Sequence, residues 1–323
     1  MNTRKDKRTL LIEALGSKDH QKRIRRARRF EQLGGGGVLK KIERVILTPG
    51  IYLPYVFYAK SGLGGDRLFT TTLFWGRAIQ IPLRDYDSLG LHMFGFAGGN
   101  EAELKLTKYF SKHLGPDDIF YDIGANCGFY TYLASELCRE VHTFEPISIL
   151  ARAIEMNSRG YAGVTVNCAA ISNATGKMDF YIGEFSGLST LNAAVVKGRS
   201  PASGTFKKTA VPTITLDDYT ATHTKPTVLK IDAEGAERDI IEGGRHFFTE
   251  NAPTVAMEVW GEKGGGRISM EAVEELRKLG YQSYRLDSEG APQKVDGDLS
   301  DGMTPTGGEN FIFKKDGENI YEF

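Results

Sequence analysis

The sequence predicts an α/β fold: a doubly wound, seven-stranded, mostly parallel sheet closed by an antiparallel C-terminal hairpin, with an N-terminal accessory segment in front. Three observations predict it. Strand and helix periods alternate from residue 119 to 167, a strand at 119–123 runs directly into a glycine turn that opens a helix, and two apolar strands fall close together near the C-terminus. With 323 residues, 41% hydrophobic and 25% charged, the chain is long enough to bury a sizeable core.

The formal charge is zero but unevenly spread. Residues 1–44 hold fourteen Lys/Arg against five Asp/Glu, and the remainder holds 27 against 36. The excess is concentrated in Lys22-Arg23-Ile24-Arg25-Arg26-Ala27-Arg28-Arg29. Such a run is commonly a solvated helix face; the other reading is contact with a phosphate-rich surface, peripheral at the inner face of a membrane, with nucleic acid not expected. Residues 1–37 therefore read as a basic, partly flexible arm, with Gly34-Gly35-Gly36-Gly37 as its joint. No apolar run approaches the roughly twenty residues that span a bilayer, and the start of the chain is charged where a signal peptide needs an apolar run, so the chain reads as soluble and cytoplasmic. Cys127, Cys138 and Cys168 are odd in number and lack C-x-x-C spacing, which argues against a disulfide framework and a zinc knuckle.

Residues 38–100 form the accessory segment. Val45 to Tyr58 is apolar and aromatic but interrupted by prolines, and packing on the main domain is the expected use, with membrane contact as the alternative. Residues 68–96 read as short strands or hairpins around Leu73–Arg77 and Ala78–Leu83. The main domain, 101–323, begins with a helix whose apolar positions are Leu104, Leu106, Tyr109, Phe110 and Leu114, stopped by Gly115-Pro116. A strand at 119–123, helix at 128–138, strand at 140–144, helix at 147–160 and strand at 163–167 follow. Met178–Ile182 then reads as a strand of an excursion, before strand Val228–Ile231, helix Ala236–Gly243, strand Thr254–Val259, helix Ser269–Leu279 and strands near Tyr281–Leu286 and Asn310–Phe313.

The chemistry-bearing residues cluster at the carboxyl ends of these strands, where open α/β sheets bind ligands. In Asp122-Ile-Gly-Ala-Asn-Cys-Gly128 the glycines Gly124 and Gly128 leave room for a ligand over the turn. The spacing lacks the third glycine of a dinucleotide fingerprint, and Asp122 would repel a pyrophosphate while suiting the ammonium of S-adenosylmethionine. Glu145, one α/β unit later, has two acceptor oxygens for the ribose hydroxyls. A glycine turn alone is an ordinary connection; the two elements together point to a nucleoside. Cys127 has no Cys/His arrangement that would make it a nucleophile.

In Leu229-Lys-Ile-Asp-Ala-Glu-Gly-Ala-Glu237, Asp232 and Glu234 leave the same sheet edge. They can accept the proton of a hydroxyl as it is methylated, hold a divalent cation with oxygen ligands, or cap the helix from Ala236, a role that suits Glu237 best. Glu258 can join them, and Trp260 is either an acceptor wall or a core residue. Of the histidines only His223 lies just ahead of this strand.

From about residue 100 to 314 the chain resembles the FkbM family of class I methyltransferases. The resemblance is carried by Asp122–Tyr130, Phe144-Glu-Pro146, Asn167-Cys-Ala-Ala-Ile-Ser172 with Gly176, Thr215-Leu-Asp-Asp-Tyr219 and Leu229–Glu237. It implies a Rossmann-like sheet, S-adenosylmethionine as donor, and O-methylation of a hydroxyl on a glycan or secondary metabolite. It also implies Asp122, Gly124 and Gly128 around the methionine end, Glu145 at the ribose, and the stretch Asn167–Ala170, with Asn167 and Ala169 as its contacts, by the adenine; Asn126 is a further cofactor-binding candidate in the turn. No metal is implied, although a divalent cation is compatible with the acids. Two other classes were weighed: a nicotinamide-dependent oxidoreductase, against which the missing glycine and Asp122 count, and a non-catalytic nucleoside-binding or membrane-recruited scaffold, for which only the basic arm speaks.

Overall fold

A computed structural model describes residues 6–32, 38–47, 49, 53, 56–57, 67–83, 86–97, 100–161, 163–183, 189–193, 196, 206–260, 266–301, 303 and 307–315. In chain order the elements are α1 (Lys7–Gly16), α2 (Lys18–Gln32), α3 (Val38–Leu47), β1 (Leu68–Thr72), β2 (Ala78–Pro82), α4 (Tyr86–Phe94) and α5 (Glu101–His113). Then come β3 (Ile119–Ile123), α6 (Phe129–Leu137), β4 (Glu140–Phe144), α7 (Ser148–Ser158), β5 (Val164–Asn167), β6 (Ala170–Ile171), β7 (Gly176–Ile182), β8 (Lys207–Ile214) and α8 (Leu216–Thr220). The chain ends with β9 (Val228–Ile231), α9 (Glu237–Gly243), α10 (Arg245–Asn251), β10 (Thr254–Trp260), α11 (Gly266–Lys278), β11 (Tyr281–Leu286), β12 (Pro292–Val295) and β13 (Gly308–Lys315).

The main sheet has eight strands in the order β12-β11-β13-β10-β9-β3-β4-β5. The pairs from β10 through β5 are parallel, and β13 runs antiparallel between β10 and β11. The expected seven strands thus gain an eighth: Pro292–Val295 pairs with β11 at the edge, and the C-terminal strand inserts beside β10 instead of only pairing with its predecessor. Pro292 is tolerated there because it stands at the start of an edge strand.

Alternation along the central strands builds two cores. Phe120 joins the cluster with Leu106, Phe110, Tyr130 and Leu133 of α5 and α6, while Ile119, Tyr121 and Ile123 join Leu229, Ile231, Leu216, Phe248 and Leu276 on the other face. Strands covered on both faces are nearly continuous apolar runs, as the sequence of β3 is. A polar residue on a central strand is therefore out of place, and both Asp122 and Lys230 are buried there.

The excursion after β5 is a three-stranded sheet in which β7 pairs antiparallel with β8 and β6 pairs parallel with it. Strand Lys207–Ile214 was missed by the sequence reading. Its alternation is interrupted by Pro212, which demotes a run to non-strand or edge.

Residues 7–32, expected as a basic and partly flexible arm, are two helices docked on the main domain. Leu11, Leu15, Ile24 and Ala27 enter the core shared with α5 and α6, the Arg8 guanidinium donates to the Leu114 carbonyl at 2.6 Å, and Lys7 pairs with Glu136 at 2.9 Å. The proposed joint at Gly34–Gly37 lies outside the described residues. In the accessory segment β1 and β2 form one hairpin, and Leu73–Arg77 is its turn and not a strand. Arg77 rivets that turn to the domain: its guanidinium donates to the carbonyls of Tyr132 (3.1 Å) and Asn157 (2.9 Å) and to Ser135 Oγ (2.7 Å). Among the described residues no helix is long and apolar enough to cross a membrane.

Candidate functional site

β3 delivers the glycine turn to the carboxyl edge of the sheet. Gly124 and Gly128 adopt φ of +79° and +81°, with Asn126 at +51°. These are left-handed values that favour glycine and that asparagine tolerates better than most residues. The physical reason for the glycines differs from the expected one. A Cβ at Gly124 would run into the Asp232 carbonyl, and one at Gly128 would lie 2.7 Å from Ile154 Cγ1 and 2.9 Å from Tyr132 Cζ. The space over both is filled by protein, so the glycines let segments of this chain cross each other.

Glu145 stands one residue past β4, buried at 4% exposure. One carboxylate oxygen accepts the Asn126 N–H at 2.8 Å and the other the Ile147 N–H at 2.7 Å. Burial pushes its carboxyl up to about 8, against the two backbone hydrogen bonds that favour the ionised form. It lines a cleft walled by Phe144, Pro146, Ile147, Ile171, Phe180 and Leu191 and floored by Gly124, Asn126 and Asp232–Glu234. An apolar slot with a few converging polar groups is the usual form of a small-molecule site.

A second chamber shares Gly124, Asn126, Asp232 and Glu234 with the first. Among the described residues its walls include five carboxyl groups, Asp87, Glu103, Asp232, Glu234 and Glu258, against the single ammonium of Lys230, with Phe129, Tyr130 and Trp260 as aromatic surfaces. Oxygens of Asp232, Glu234 and Glu258 lie within 4.8 Å of one another, close enough for one cation to be held by all three. Burial, then the charges of Asp232 and Glu234, hold Glu258 well above the ordinary carboxyl range.

Lys230 is the hub of these charges. Its Nζ lies 2.9 Å from Asp232 Oδ2 and 4.0 Å from Asp122 Oδ1, and 5.3 Å from the centroid of the Tyr130 ring. Burial opposes its charge, but Asp232, Asp122 and Glu103 outweigh burial and hold the ammonium above its ordinary value. Glu103 accepts the Tyr130 hydroxyl proton at 2.6 Å, and burial raises its own carboxyl despite Lys230.

Several expected roles find their side chains elsewhere. Asp122 is sealed beneath the turn at 0% exposure; its Oδ2 accepts from Thr131 at 2.7 Å, and its Oδ1, without a hydrogen bond, faces Lys230. Its counter-ion is a lysine of this chain, so the cleft carboxylates that can meet a ligand ammonium are Asp232 and Glu234. Asn167 directs its amide to the Thr143 carbonyl and the Tyr219 hydroxyl, and neither it nor Ala169 lines the cleft; Ala170 and Ile171 do. Gly128 likewise stands behind the turn. His223 stacks on Tyr219 with ring centroids 3.9 Å apart and is not in either chamber.

The capping role for Asp232 and Glu234 is not adopted. The helix cap at Ala236 has no side-chain hydrogen bond, and Glu237 instead accepts the N–H groups of Ala233 (3.0 Å) and Gly235 (3.1 Å). Glu237 thereby holds the tight loop, in which Glu234 and Gly235 have φ of +52° and +95°. That leaves Asp232 and Glu234 lining both chambers, with Trp260 half-buried at the wall of the second.

Lys230, Glu103 and Tyr130 are site residues that sequence reasoning missed. The signal for Lys230 was present: a lysine between Leu229 and Ile231 on a central strand must be buried, and a buried ammonium requires carboxylate partners.

A family model described as the methyltransferase FkbM domain matches residues 122–283. No curated protein matches. Among solved structures, a methyltransferase FkbM from Methylobacillus flagellatus KT is similar at 15% identity and a TM-score of 0.41, covering 70% of this chain and 52% of that one, so the chain spans about half of that protein. Fibrillarin from Aeropyrum pernix, in complex with natively bound S-adenosyl-L-methionine, has 11% identity and a TM-score of 0.37 over 65% of this chain and 74% of that one. A SAM-dependent O-methyltransferase from Thermotoga maritima has 12% identity and a TM-score of 0.34, covering 65% of this chain and 64% of that one.

Proposed function

The chain belongs to the FkbM methyltransferase family, and from that premise we propose that it uses S-adenosylmethionine to methylate a hydroxyl of a glycan or small-molecule acceptor. The observation that supports this most is the two-chambered cleft, in which one apolar chamber contains Glu145 and the adjoining acidic one contains Asp232, Glu234 and Glu258, with Gly124 and Asn126 between them.

The residues present fit the cofactor. Each Glu145 oxygen has one backbone donor and a lone pair left over, which suits the two ribose hydroxyls, and Phe144, Ile147, Ile171 and Phe180 give a purine apolar walls. Asp232 and Glu234, at the junction of the chambers, suit the positive charges of a sulfonium and an ammonium. The cofactor supplies an electrophilic methyl group. An acceptor hydroxyl methylated there would have to lose its proton, and Asp232 or Glu234 would receive it as general base. Glu258, whose carboxyl is raised by burial and then by Asp232 and Glu234, lines the acceptor chamber, and Trp260 offers a face on which a sugar ring can lie.

The proximity of Asp232, Glu234 and Glu258 favours a second reading for these same acids, in which they hold a divalent cation that orients the acceptor oxygen. Methyl-labelled cofactor incubated with a host extract, followed by isolation of the labelled product, tests the activity and gives the acceptor. Asp232→Asn and Glu234→Gln should each weaken cofactor affinity and, at saturating cofactor, still lower turnover ~10²–10⁴-fold. Near-normal turnover in both variants would remove the catalytic assignment. Loss of turnover with chelator, restored by magnesium, would select the cation reading over the proton-acceptor reading.

A further inference from the structure

We infer that α2 and α3 dock this protein on an anionic membrane surface, with α2 supplying the charge and α3 the apolar insertion. The observations are independent of the catalytic reading. α2 buries His20, Ile24 and Ala27 against the domain, and a rotation of 100° per residue then places Lys22, Arg25, Arg26 and Arg29 together on its opposite face. All four are exposed, and no acid stands among them. The one acid of the first turn, Asp19, is taken by Arg23 at 2.8 Å.

α3 begins only six residues after α2 ends. Its Val45 packs against the core, yet Leu39, Ile42 and Ile46 are 82%, 50% and 71% exposed. Spaced three and four residues apart, they form one stripe, while Lys41 and Arg44 occupy the other side of the helix. Leu53 and Val56 are exposed as well. Three large aliphatic side chains in water on a short helix with cationic flanks is the composition of a helix that lies in a lipid interface. The basic face of α2 selects bilayers with anionic headgroups. A nucleic acid would be drawn to the same basic face but has no use for the aliphatic stripe, which is why the lipid surface is favoured.

The placement also bears on access to the cleft. Arg23 Nη1 donates to the Thr72 carbonyl at 3.1 Å and the Phe94 carbonyl at 3.4 Å, so α2 is fastened to the end of α4, and α4 carries Asp87 and Leu91 of the acidic chamber. A surface held by α2 lies next to the helix that walls the acceptor chamber.

The test is sedimentation of the full chain with phosphatidylcholine vesicles and with vesicles in which about a third of the lipid is phosphatidylserine. The expected result is retention by the anionic vesicles alone, weakening as salt screens the charges. Replacing Lys22, Arg25, Arg26 and Arg29 by Gln should lower partitioning roughly fivefold per charge removed. Changing Leu39, Ile42 and Ile46 to Ser, which opens no cavity because all three are exposed, should abolish the retention that survives high salt. An unchanged cofactor-induced melting shift in both variants shows that the fold is intact. No retention of the wild type on anionic vesicles, equal retention on neutral ones, indifference to the Ser changes, or capture by duplex RNA or DNA in place of vesicles would each overturn the inference.

Discussion

Glu145 gives the cofactor site a pH dependence with a definite sign. In the free protein burial holds its carboxyl at about 8, so at pH 6 it carries a proton. Two ribose hydroxyls donating to the ionised carboxylate contribute ~1.5–3 kcal/mol each. That equals about 2–4 pK units at 1.36 kcal/mol per unit, enough to return the group to the ordinary carboxyl range. Binding therefore expels a proton, and affinity rises with pH up to the free-state value and is level above it. The slope approaches tenfold per pH unit and flattens near the free-state value, so between pH 6 and 8 the gain is up to about fiftyfold. Folding has the complementary sign: the raised carboxyl contributes stability present below about 4.5 and lost as pH rises through about 8. Calorimetry with S-adenosylhomocysteine, in two buffers of different ionisation enthalpy at pH 6.5, should register release of most of one proton. Glu145→Gln should bind more weakly and lose the dependence, which separates Glu145 from Glu103 and Glu258. Wild-type affinity that is flat from pH 6 to 8, or tighter at the acid end, would refute the reasoning.

Lys230→Met leaves the buried Asp122, and the half-buried Asp232 beside it, without their cation and should cost about 3–5 kcal/mol; thermal denaturation should show the loss, with partial recovery on adding Asp122→Asn. Gly124→Ala places a methyl group against the Asp232 carbonyl at a φ of +79°, so both melting temperature and cofactor affinity should fall, whereas unchanged affinity would show that the 232–234 loop can yield. Glu237→Gln removes the charged acceptor for the Ala233 and Gly235 N–H groups and should lower stability by about 1–3 kcal/mol and reduce turnover through the loop it holds; an unaltered melting curve would deny it that role.

The parallel core of the fold was legible because its physics is local. A strand covered on both faces must be apolar throughout, and Ile119–Ile123, Val228–Ile231 and Thr254–Val259 are nearly so, with helices of regular period between them. What was not legible depended on partners far away in sequence. Pro292–Val295 is a strand only because β11 presents an edge, and Lys207–Ile214 only because β7 does. The docking of α1 and α2 turns on a few aliphatic residues, such as Leu11, Leu15 and Ile24, scattered among charges that dominate the composition. In the site, Glu145, Asp232, Glu234 and Glu258 could be named because carboxylates at strand ends are conspicuous. The burial of Asp122 could not, since the sequence does not say that Lys230, 108 positions later, lies on the same face of the adjacent strand.

That displacement changes the basis on which a nicotinamide dinucleotide is disfavoured. In the sequence the repulsion of a pyrophosphate was assigned to Asp122, but Asp122 is capped by Thr131 and faces Lys230, and the glycines are required by chain crossings that any α/β enzyme could contain. The discrimination passes instead to the groups that line the cleft. Asp232 and Glu234 front both chambers and Glu258 lines the second, and among the described lining residues the one cation, Lys230, is shared between Asp232 and the hidden Asp122. A diphosphate laid across Gly124 and Asn126 would place two negative charges against Asp232 and Glu234. A cationic donor in the same position is attracted by the same groups. On the proposed reading, the preference for a sulfonium ligand rests on Asp232 and Glu234, which line both chambers, and not on the sealed Asp122.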